Sequence, residues 1–253
     1  MPMSFYSLSK EERIKLVSKI SNEILADVRG GKKQRIENYF SDEDTYIRKS
    51  AYQSIGKIYF SDHTLQKKII VLLEGLLKSE NDKIRQTVVN SAGEIGMSDF
   101  SSVEDFFHKG LFDAHHSVRN AVIGSMKKMG EKNPKPVLAF AKQYLHHPEK
   151  EIRREICHGI ELRGRTHPED ILPLLRELEF DKTARVRNTL VHVLGQIAYK
   201  KGCLEKVIAH LKSWKNAEVV KDAIDEILDV HIRYKNFSYK THAEATKYVE
   251  KNF

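Results

Sequence analysis

The sequence has little of what a disulfide-bonded or membrane-spanning fold requires. Its two cysteines, Cys157 and Cys203, are too few for a disulfide framework, and they predict a reducing, cytoplasmic location. No run approaches the roughly 20 apolar residues of a membrane span, and residues 1–8 lack the apolar core of a signal peptide. These absences predict a cytoplasmic protein that makes no membrane contact.

Motifs of common enzyme chemistry are absent from the sequence as well. It has no phosphate-binding loop, no metal-ligand spacing and no nucleophile elbow. No segment alternates polar and apolar residues long enough to indicate a strand. We therefore predict an all-α chain with no cofactor, no metal ion and no catalytic residue. Lysine and arginine number 43 against 35 acidic residues, and this excess favours an anionic partner.

What the sequence does contain is a repeat of fixed length. A β-branched residue followed by a base recurs every 34 residues in Ile84-Arg85, Val118-Arg119, Ile152-Arg153, Val186-Arg187 and Val220-Lys221. An earlier copy, Ile47-Arg48, lies 37 residues before Arg85. Repetition at this period predicts a solenoid, in which each repeat is a small unit stacked on its neighbours.

Each repeat has the same internal pattern when residues are counted from the base as position 0. Apolar residues at positions −1, +3 and +7 form one stripe of a helix, here called the base-bearing helix. Glycine at position +8 predicts close contact between neighbouring helices in three copies, Gly56, Gly93 and Gly195. Aspartate at position −6 predicts a helix cap or loop acceptor in Asp42, Asp113 and Asp181.

This pattern resembles the HEAT repeat, whose second helix reads as Asp, a short spacer, Val-Arg and then Leu-Gly. Residues 181–187 and Leu194-Gly195 match it closely, and the likeness extends over roughly residues 30–230. The resemblance implies a right-handed all-α superhelix of about six helix pairs. We predict a single HEAT-like, armadillo-like domain over 1–253, with an N-terminal cap at 1–40, repeats at 41–230 and a C-terminal cap at 231–253.

In the HEAT family the base-bearing helices line the concave side, which is the usual binding surface. Positions +1, +5, +8 and +12 lie opposite the apolar stripe, and we call these positions the polar row. The candidate binding residues of the row are Asn120, Arg154, His158, Arg165, Asn188 and His192. Two interpretations stay open, a solvated helix face and a binding groove. Since adjacent helices pack about 8–10 Å apart, we do not expect His158 and His192 to share a metal ion.

The bases at position 0 also have two interpretations. Pairing with Asp113 and Asp181 of neighbouring turns is a structural role, and we favour it. Phosphate contact is the alternative, and it suits bases with fewer partners: Lys49, Lys127, Lys128, Arg154, Arg163 and Arg165. Cys157 falls in a mostly apolar column and is predicted to lie in the core.

The segment after the last repeat carries Tyr234, Phe237 and Tyr239 among basic residues. We expect it to form a cap that buries these aromatic side chains on the last repeat. The alternative is a basic, aromatic contact for nucleic acid.

A second resemblance is to the HEAT-like alkylpurine DNA glycosylases, whose pocket uses tryptophans, an acidic residue and an arginine on successive helices. Arg154 lies where that arginine is expected. His192 occupies a tryptophan position, Asn120 lies near the carboxylate position, and the only tryptophan, Trp214, ends a first helix. These departures put base excision in doubt.

We therefore predict a monomeric, non-catalytic scaffold whose concave face binds a macromolecule, with a protein slightly favoured over double-stranded DNA. The alternative is a DNA-binding relative of the alkylation-repair glycosylases with altered or lost activity.

Overall fold

The computed structural model describes residues 4–253, and these residues contain helices and no strand. Two short 3-10 helices occupy Phe5–Ser7 and His63–Leu65. The α-helices are α1 (Lys10–Gly30), α2 (Gln34–Phe40), α3 (Thr45–Ser61), α4 (Gln66–Leu76), α5 (Asp82–Gly96), α6 (Glu104–Leu111), α7 (His116–Lys132), α8 (Pro134–Tyr144), α9 (Lys150–Gly159), α10 (Glu161–Gly164), α11 (Pro168–Arg176), α12 (Ala184–Ala198), α13 (Cys203–Leu211), α14 (Ala217–Arg233) and α15 (His242–Asn252). None of the helices in this part of the chain is long and apolar enough to cross a membrane.

The helices alternate between first helices and base-bearing helices, as the repeat predicts. The base-bearing helices are α3, α5, α7, α12 and α14, while the fourth copy is divided between α9 and α10. The predicted all-α repeat fold is confirmed. The division at Ile160, between α9 and α10, has no counterpart in the repeat pattern and was not predicted.

The helices form two compact units, one ending at Ser125 and the other beginning at Met126. In the first unit, the base-bearing helices α3 and α5 pack together. In the second unit, α12 packs against α9 on one side and α14 on the other. The assignment of one domain with caps at 1–40 and 231–253 stays a prediction.

The predicted apolar stripe is the core of each unit. Position +3 is fully buried in Ala51, Val88, Val122, Ile156 and Leu190. Burying a side chain of this kind stabilises the fold by about 1.5–3 kcal/mol for the larger residues. Cys157 is fully buried beside this stripe, and burial raises the pKa of its thiol. The prediction that Cys157 is a core residue is confirmed.

The glycines at position +8 lie where neighbouring base-bearing helices come closest. A Cβ atom on Gly56 would lie 2.7 Å from Glu94 Cβ, and one on Gly195 would lie 2.7 Å from Glu226 Cγ. Both distances are shorter than a normal contact between carbon atoms. The predicted close approach is confirmed in both units, by α3 with α5 and by α12 with α14.

The predicted pairing of position-0 arginines with loop aspartates is confirmed for Arg85 and Arg153, and Arg119 and Arg187 donate to the backbone carbonyls of the same aspartates. Arg85 binds Asp113 with two hydrogen bonds, Nε to Oδ2 at 2.7 Å and an Nη to Oδ1 at 3.0 Å. Arg153 binds Asp181 in the same way, at 2.5 Å and 3.0 Å. Each aspartate also accepts a backbone N–H two residues later, at 2.8 Å in both cases. These arginines therefore hold one interhelical turn against the next.

The C-terminal segment differs from the expectation that it buries its aromatic residues. Tyr234, Phe237 and Tyr239 are 36%, 71% and 59% exposed, so that prediction is wrong. The apolar contacts are made instead by α15, through Ala245 and Val249, which are buried. Since α15 already covers the end of the repeats, the turn before it is left with its rings in solvent.

Candidate functional site

The predicted binding residues fall in two different units of the structure. Arg154 and His158 lie on α9, Asn188 and His192 lie on α12, and Arg165 follows α10, so these five share the second unit. Asn120 lies on α7 in the first unit and is exposed. Five of the six predicted binding residues therefore belong to the second unit, and Asn120 belongs to the first.

A buried carboxylate, that of Glu161, lies at the centre of this group. The Glu161 residue is only 1% exposed, whereas the polar row predicted a solvent-facing side chain at this position. Its Oε2 atom contacts Lys127 Nζ at 3.0 Å and His158 Nε2 at 3.0 Å. Its Oε1 atom accepts a hydrogen bond from Arg165, which also donates to Gln196 Oε1 at 2.8 Å. We call Glu161, Lys127, His158 and Arg165 the Glu161 cluster.

The surroundings of Glu161 keep it ionised despite burial. Burial opposes the charge of the carboxylate, but hydrogen bonds from His158 and Lys127 and the charges of Lys127 and Arg165 outweigh it. Together they lower the pKa of Glu161 to about 2. The carboxylate is therefore a fixed negative charge with a cation bound to each of its oxygens.

His192 stands beside this cluster with a second acid–base pair. The His158 and His192 rings are 5.8 Å apart and nearly perpendicular. His192 Nδ1 lies 3.6 Å from Glu226 Oε1, which also contacts an Nη atom of Arg233 at 2.5 Å. Burial lowers the pKa of His192, the charge of His158 lowers it further, and Glu161 and Glu226 oppose the shift. The neutral form of His192 is favoured, so the ring offers a neutral donor and acceptor next to the cluster.

The two histidines are closer than helix spacing led us to expect. Ligand atoms of His158, Glu161 and His192 all lie within 4.8 Å of one another. The chemistry of the set nevertheless disfavours a cation, because Lys127 and Arg165 already bind both oxygens of Glu161. A divalent ion would have to displace a positive charge and then sit beside another. The absence of a metal site stays a prediction.

Four of the six bases expected to be available for phosphate are already engaged. Arg154 Nε lies 2.9 Å from Glu151, and an Nη of the same residue lies 3.6 Å from Glu155. Arg163 contacts Asp170 at 2.6 Å, while Lys127 and Arg165 are bound to Glu161. These four bases are therefore paired, although each has fewer partners than Arg85 or Arg153, which also donate to two backbone carbonyls each. Asn188 is exposed on the same row.

Chemistry of the glycosylase kind finds little support in this arrangement. The Glu161 carboxylate is neutralised by Lys127 and Arg165, so it has no uncompensated charge to stabilise a cationic sugar. Trp214 is buried, at 7% exposure, and its Nε1 donates to His210 Nδ1 at 2.8 Å, so it stacks on nothing in solvent.

Sequence reasoning missed the central residue of the site. Glu161 occupies position +8, where three other copies carry glycine. The presence of glutamate where other copies have glycine could have indicated this site, because glycine at that position marks a tight contact with the next helix. A carboxylate placed in such a contact must find cations.

Comparison with known proteins supports the repeat assignment. Residues 137–228 match the protein family described as HEAT repeats, which confirms the HEAT resemblance. No curated protein matches the sequence. The fold is similar to that of AlkD2 from Streptococcus mutans, at 16% identity over 82% of this chain and 97% of that one, with a TM-score of 0.55.

A second solved structure, a TOG domain of Crescerin, shares 18% identity over 81% of this chain and 88% of that one, with a TM-score of 0.51. At such identities the likeness concerns the fold alone. These matches support an all-α repeat fold that carries HEAT repeats over residues 137–228.

Proposed function

We propose that this chain is a non-catalytic scaffold that binds a protein partner through the polar row of its second unit. The observation that carries the proposal is the pairing of cations on that row. Lys127, Arg154, Arg165 and Arg233 each contact a carboxylate of the chain itself. The row therefore holds its charges in ion pairs of fixed geometry.

A surface of this kind suits a protein better than a nucleic-acid backbone. Binding to phosphates requires cations that can exchange small counterions for phosphate, and here such an exchange would break ion pairs. A protein partner matches alternating charges with its own and gains orientation from them. Exposed Asn188 and half-exposed His192 add neutral hydrogen-bonding groups between the charges.

One observation supports the DNA-binding alternative. The second unit has 25 lysines and arginines against 18 acidic residues, so it carries most of the net charge of the chain. An excess of this size attracts any polyanion. The test must therefore separate specific DNA binding by the row from general attraction.

The first experiment measures binding to a fluorescent DNA duplex over a salt series, with and without an alkylated purine. We expect weak binding that ignores the lesion. We also expect Arg154→Ala with Arg165→Ala to weaken it no more than Lys212→Ala with Lys215→Ala, which removes equal charge elsewhere in the unit. Circular dichroism checks that each variant is folded. Tight, lesion-selective binding that only the row variant abolishes would overturn the proposal.

A second experiment looks for the protein partner itself. A photo-crosslinking amino acid at position 188 should give a discrete crosslinked protein in cell extract. The same group at position 212 should not, because Lys212 lies off the row. Loss of the product on Arg165→Glu would tie it to the row, while identical products from both positions would contradict the assignment.

A further inference from the structure

The turn between α14 and α15 presents aromatic rings to solvent, and its own sequence has no acidic residue. Phe237 is 71% exposed and Tyr239 is 59% exposed. No carboxylate occurs between Asp229 and Glu244. Large apolar side chains clustered at a surface mark an interaction site more often than a stability feature.

Hydrogen bonds hold this turn in one conformation. The backbone N–H of Phe237 donates to the Tyr234 carbonyl at 2.7 Å, and that of Tyr239 donates to the Tyr199 carbonyl at 3.0 Å. Ser238 Oγ donates to the Lys240 carbonyl at 2.8 Å. The rings are thus presented by an ordered turn that is tied to the end of α12, and little entropy is lost when a ligand stacks on them.

Basic side chains surround the rings. Lys200 Nζ lies 4.4 Å from the centre of the Tyr199 ring, and Lys201 Nζ lies 5.7 Å from that of Tyr239. Lys235 is exposed on the turn itself. Between Asp181 and Glu205, the chain that leads to these lysines has no carboxylate either. Lys240, on the same turn, pairs with Glu205 at 3.0 Å, so it is not counted with these three lysines.

The rings also form a layered arrangement. The Tyr199 and Tyr234 rings stack with centres 5.4 Å apart and an angle of 23° between their planes. Tyr199 is buried at 5% exposure, so it supports Tyr234 from below while Tyr234 keeps 36% of its surface exposed. A ring held in this way is a platform on which another flat group can stack.

We propose that Tyr234, Phe237 and Tyr239, with Lys200, Lys201 and Lys235, form a binding site for single-stranded nucleic acid. We call these six residues the aromatic patch. Unpaired bases stack on exposed rings, and lysines beside them bind the phosphates that link the bases. A duplex hides its base faces, and an acidic peptide has no flat group for each ring, so both match the aromatic patch less well.

The site is independent of the proposed protein-binding row. The two sites share no residue, so a test can contradict one proposal and leave the other unaffected.

The test is fluorescence anisotropy with a labelled oligothymidylate of about 15 nucleotides, from about 50 to about 300 mM salt. We expect Phe237→Ala with Tyr239→Ala to weaken binding at least about tenfold without changing the salt dependence, because stacking is lost and charge is not. Phe180→Ala removes a ring that is 62% exposed elsewhere in the same unit, and it should leave the affinity unchanged. Tyr239→Phe keeps the ring and should retain binding.

The lysines give a second, separate readout. Changing Lys200, Lys201 and Lys235 to alanine should lower the slope of log affinity against log salt by about two, at roughly 0.7 per phosphate contact on a single strand. Changing Lys182, Lys212 and Lys215 to alanine removes equal charge and should leave that slope in place.

Three outcomes would overturn the proposal. The first is no measurable binding to the strand. The second is an equal loss of affinity in the patch variants and their controls, which would indicate attraction by net charge alone. The third is tighter binding of a duplex or of polyglutamate with the same sensitivity to Phe237→Ala and Tyr239→Ala, which would assign the aromatic patch to double-stranded DNA or to an acidic protein.

Discussion

The two units bury different kinds of polar side chain. In the first unit the buried polar residues are mostly hydroxyls, Ser50, Ser54, Thr87, Ser91 and Ser125, with one carboxyl, Asp27. In the second unit they are ionisable or amide residues, Glu155, Glu161, Glu179, Gln196 and His231. The same helical repeat thus buries mostly neutral polar groups in one half of the sequence and mostly ionisable ones in the other.

Three of the five hydroxyls of the first unit are satisfied within their own helices. Ser50, Ser54 and Ser91 each donate to the carbonyl four residues earlier, at 2.8 Å in all three cases. The carboxylate of Glu161 is instead satisfied partly from another helix, by Lys127 of α7, and partly by Arg165 at the end of its own helix. Hydroxyls fit any copy of the repeat, whereas a buried charge commits several copies to one arrangement. In the second unit, therefore, a buried charge fixes how neighbouring copies of the repeat are arranged.

The largest expected effect is that of Glu161→Gln. It leaves the half-buried cations Lys127 and Arg165 without their counter-ion, and we expect a loss of about 3–4 kcal/mol in the free energy of unfolding. The lowered pKa of Glu161, about 2 against an ordinary value of 4.5, agrees with this, since each pKa unit corresponds to about 1.4 kcal/mol. Urea unfolding at about pH 7 measures the change.

Hydrogen exchange shows where that loss falls. We expect faster exchange in peptides from α9, α10 and α12 of the Glu161→Gln variant, and unchanged exchange in peptides from α1 to α5. Equal acceleration in both units would contradict the idea that this charge organises only the second.

Acid should reduce the difference in the free energy of unfolding between the unmodified chain and Glu161→Gln. Because the pKa of Glu161 is lower in the folded chain, its contribution is complete above about pH 4.5 and is lost as pH falls toward about 2. The stability difference between the unmodified chain and Glu161→Gln should therefore be constant near neutrality and shrink over that acidic interval. A constant difference down to about pH 2 would mean that Glu161 is not the titrating group.

A smaller effect, of the same size in both units, is expected for the arginine–aspartate pair that each unit contains. Arg85→Ala removes the double hydrogen bond to Asp113, and Arg153→Ala removes the matching one to Asp181. We expect each to cost about 2 kcal/mol, because hydrogen bonds between charged groups are lost at similar burial. Urea unfolding of both variants measures this. If the losses in the free energy of unfolding of the two variants differed by more than about 2 kcal/mol, the repeat would not be equivalent in the two units.

The sequence predicted these shared features because they recur. Arg85 and Arg153 occupy the same column, so one interpretation served both, and the apolar stripe followed from the same register. Glu161 and the break at Ile160 occur once, and a feature that occurs once has no column to support it. The exposure of Phe237 and Tyr239 was missed for a related reason. They lie beyond the last copy of the repeat, so the repeat pattern does not predict which element covers the core there.

The smallest expected effect belongs to the hydroxyls of the first unit. Ser91→Ala removes a hydrogen bond to the Thr87 carbonyl, which keeps its own helical partner, so no buried group is left unsatisfied. We expect a loss of about 1 kcal/mol or less in urea unfolding. Since no charge is involved, the loss should be the same at neutral and acidic pH. A loss as large as that of Glu161→Gln, or one that varied with pH, would remove the distinction between a neutral first unit and a charged second one.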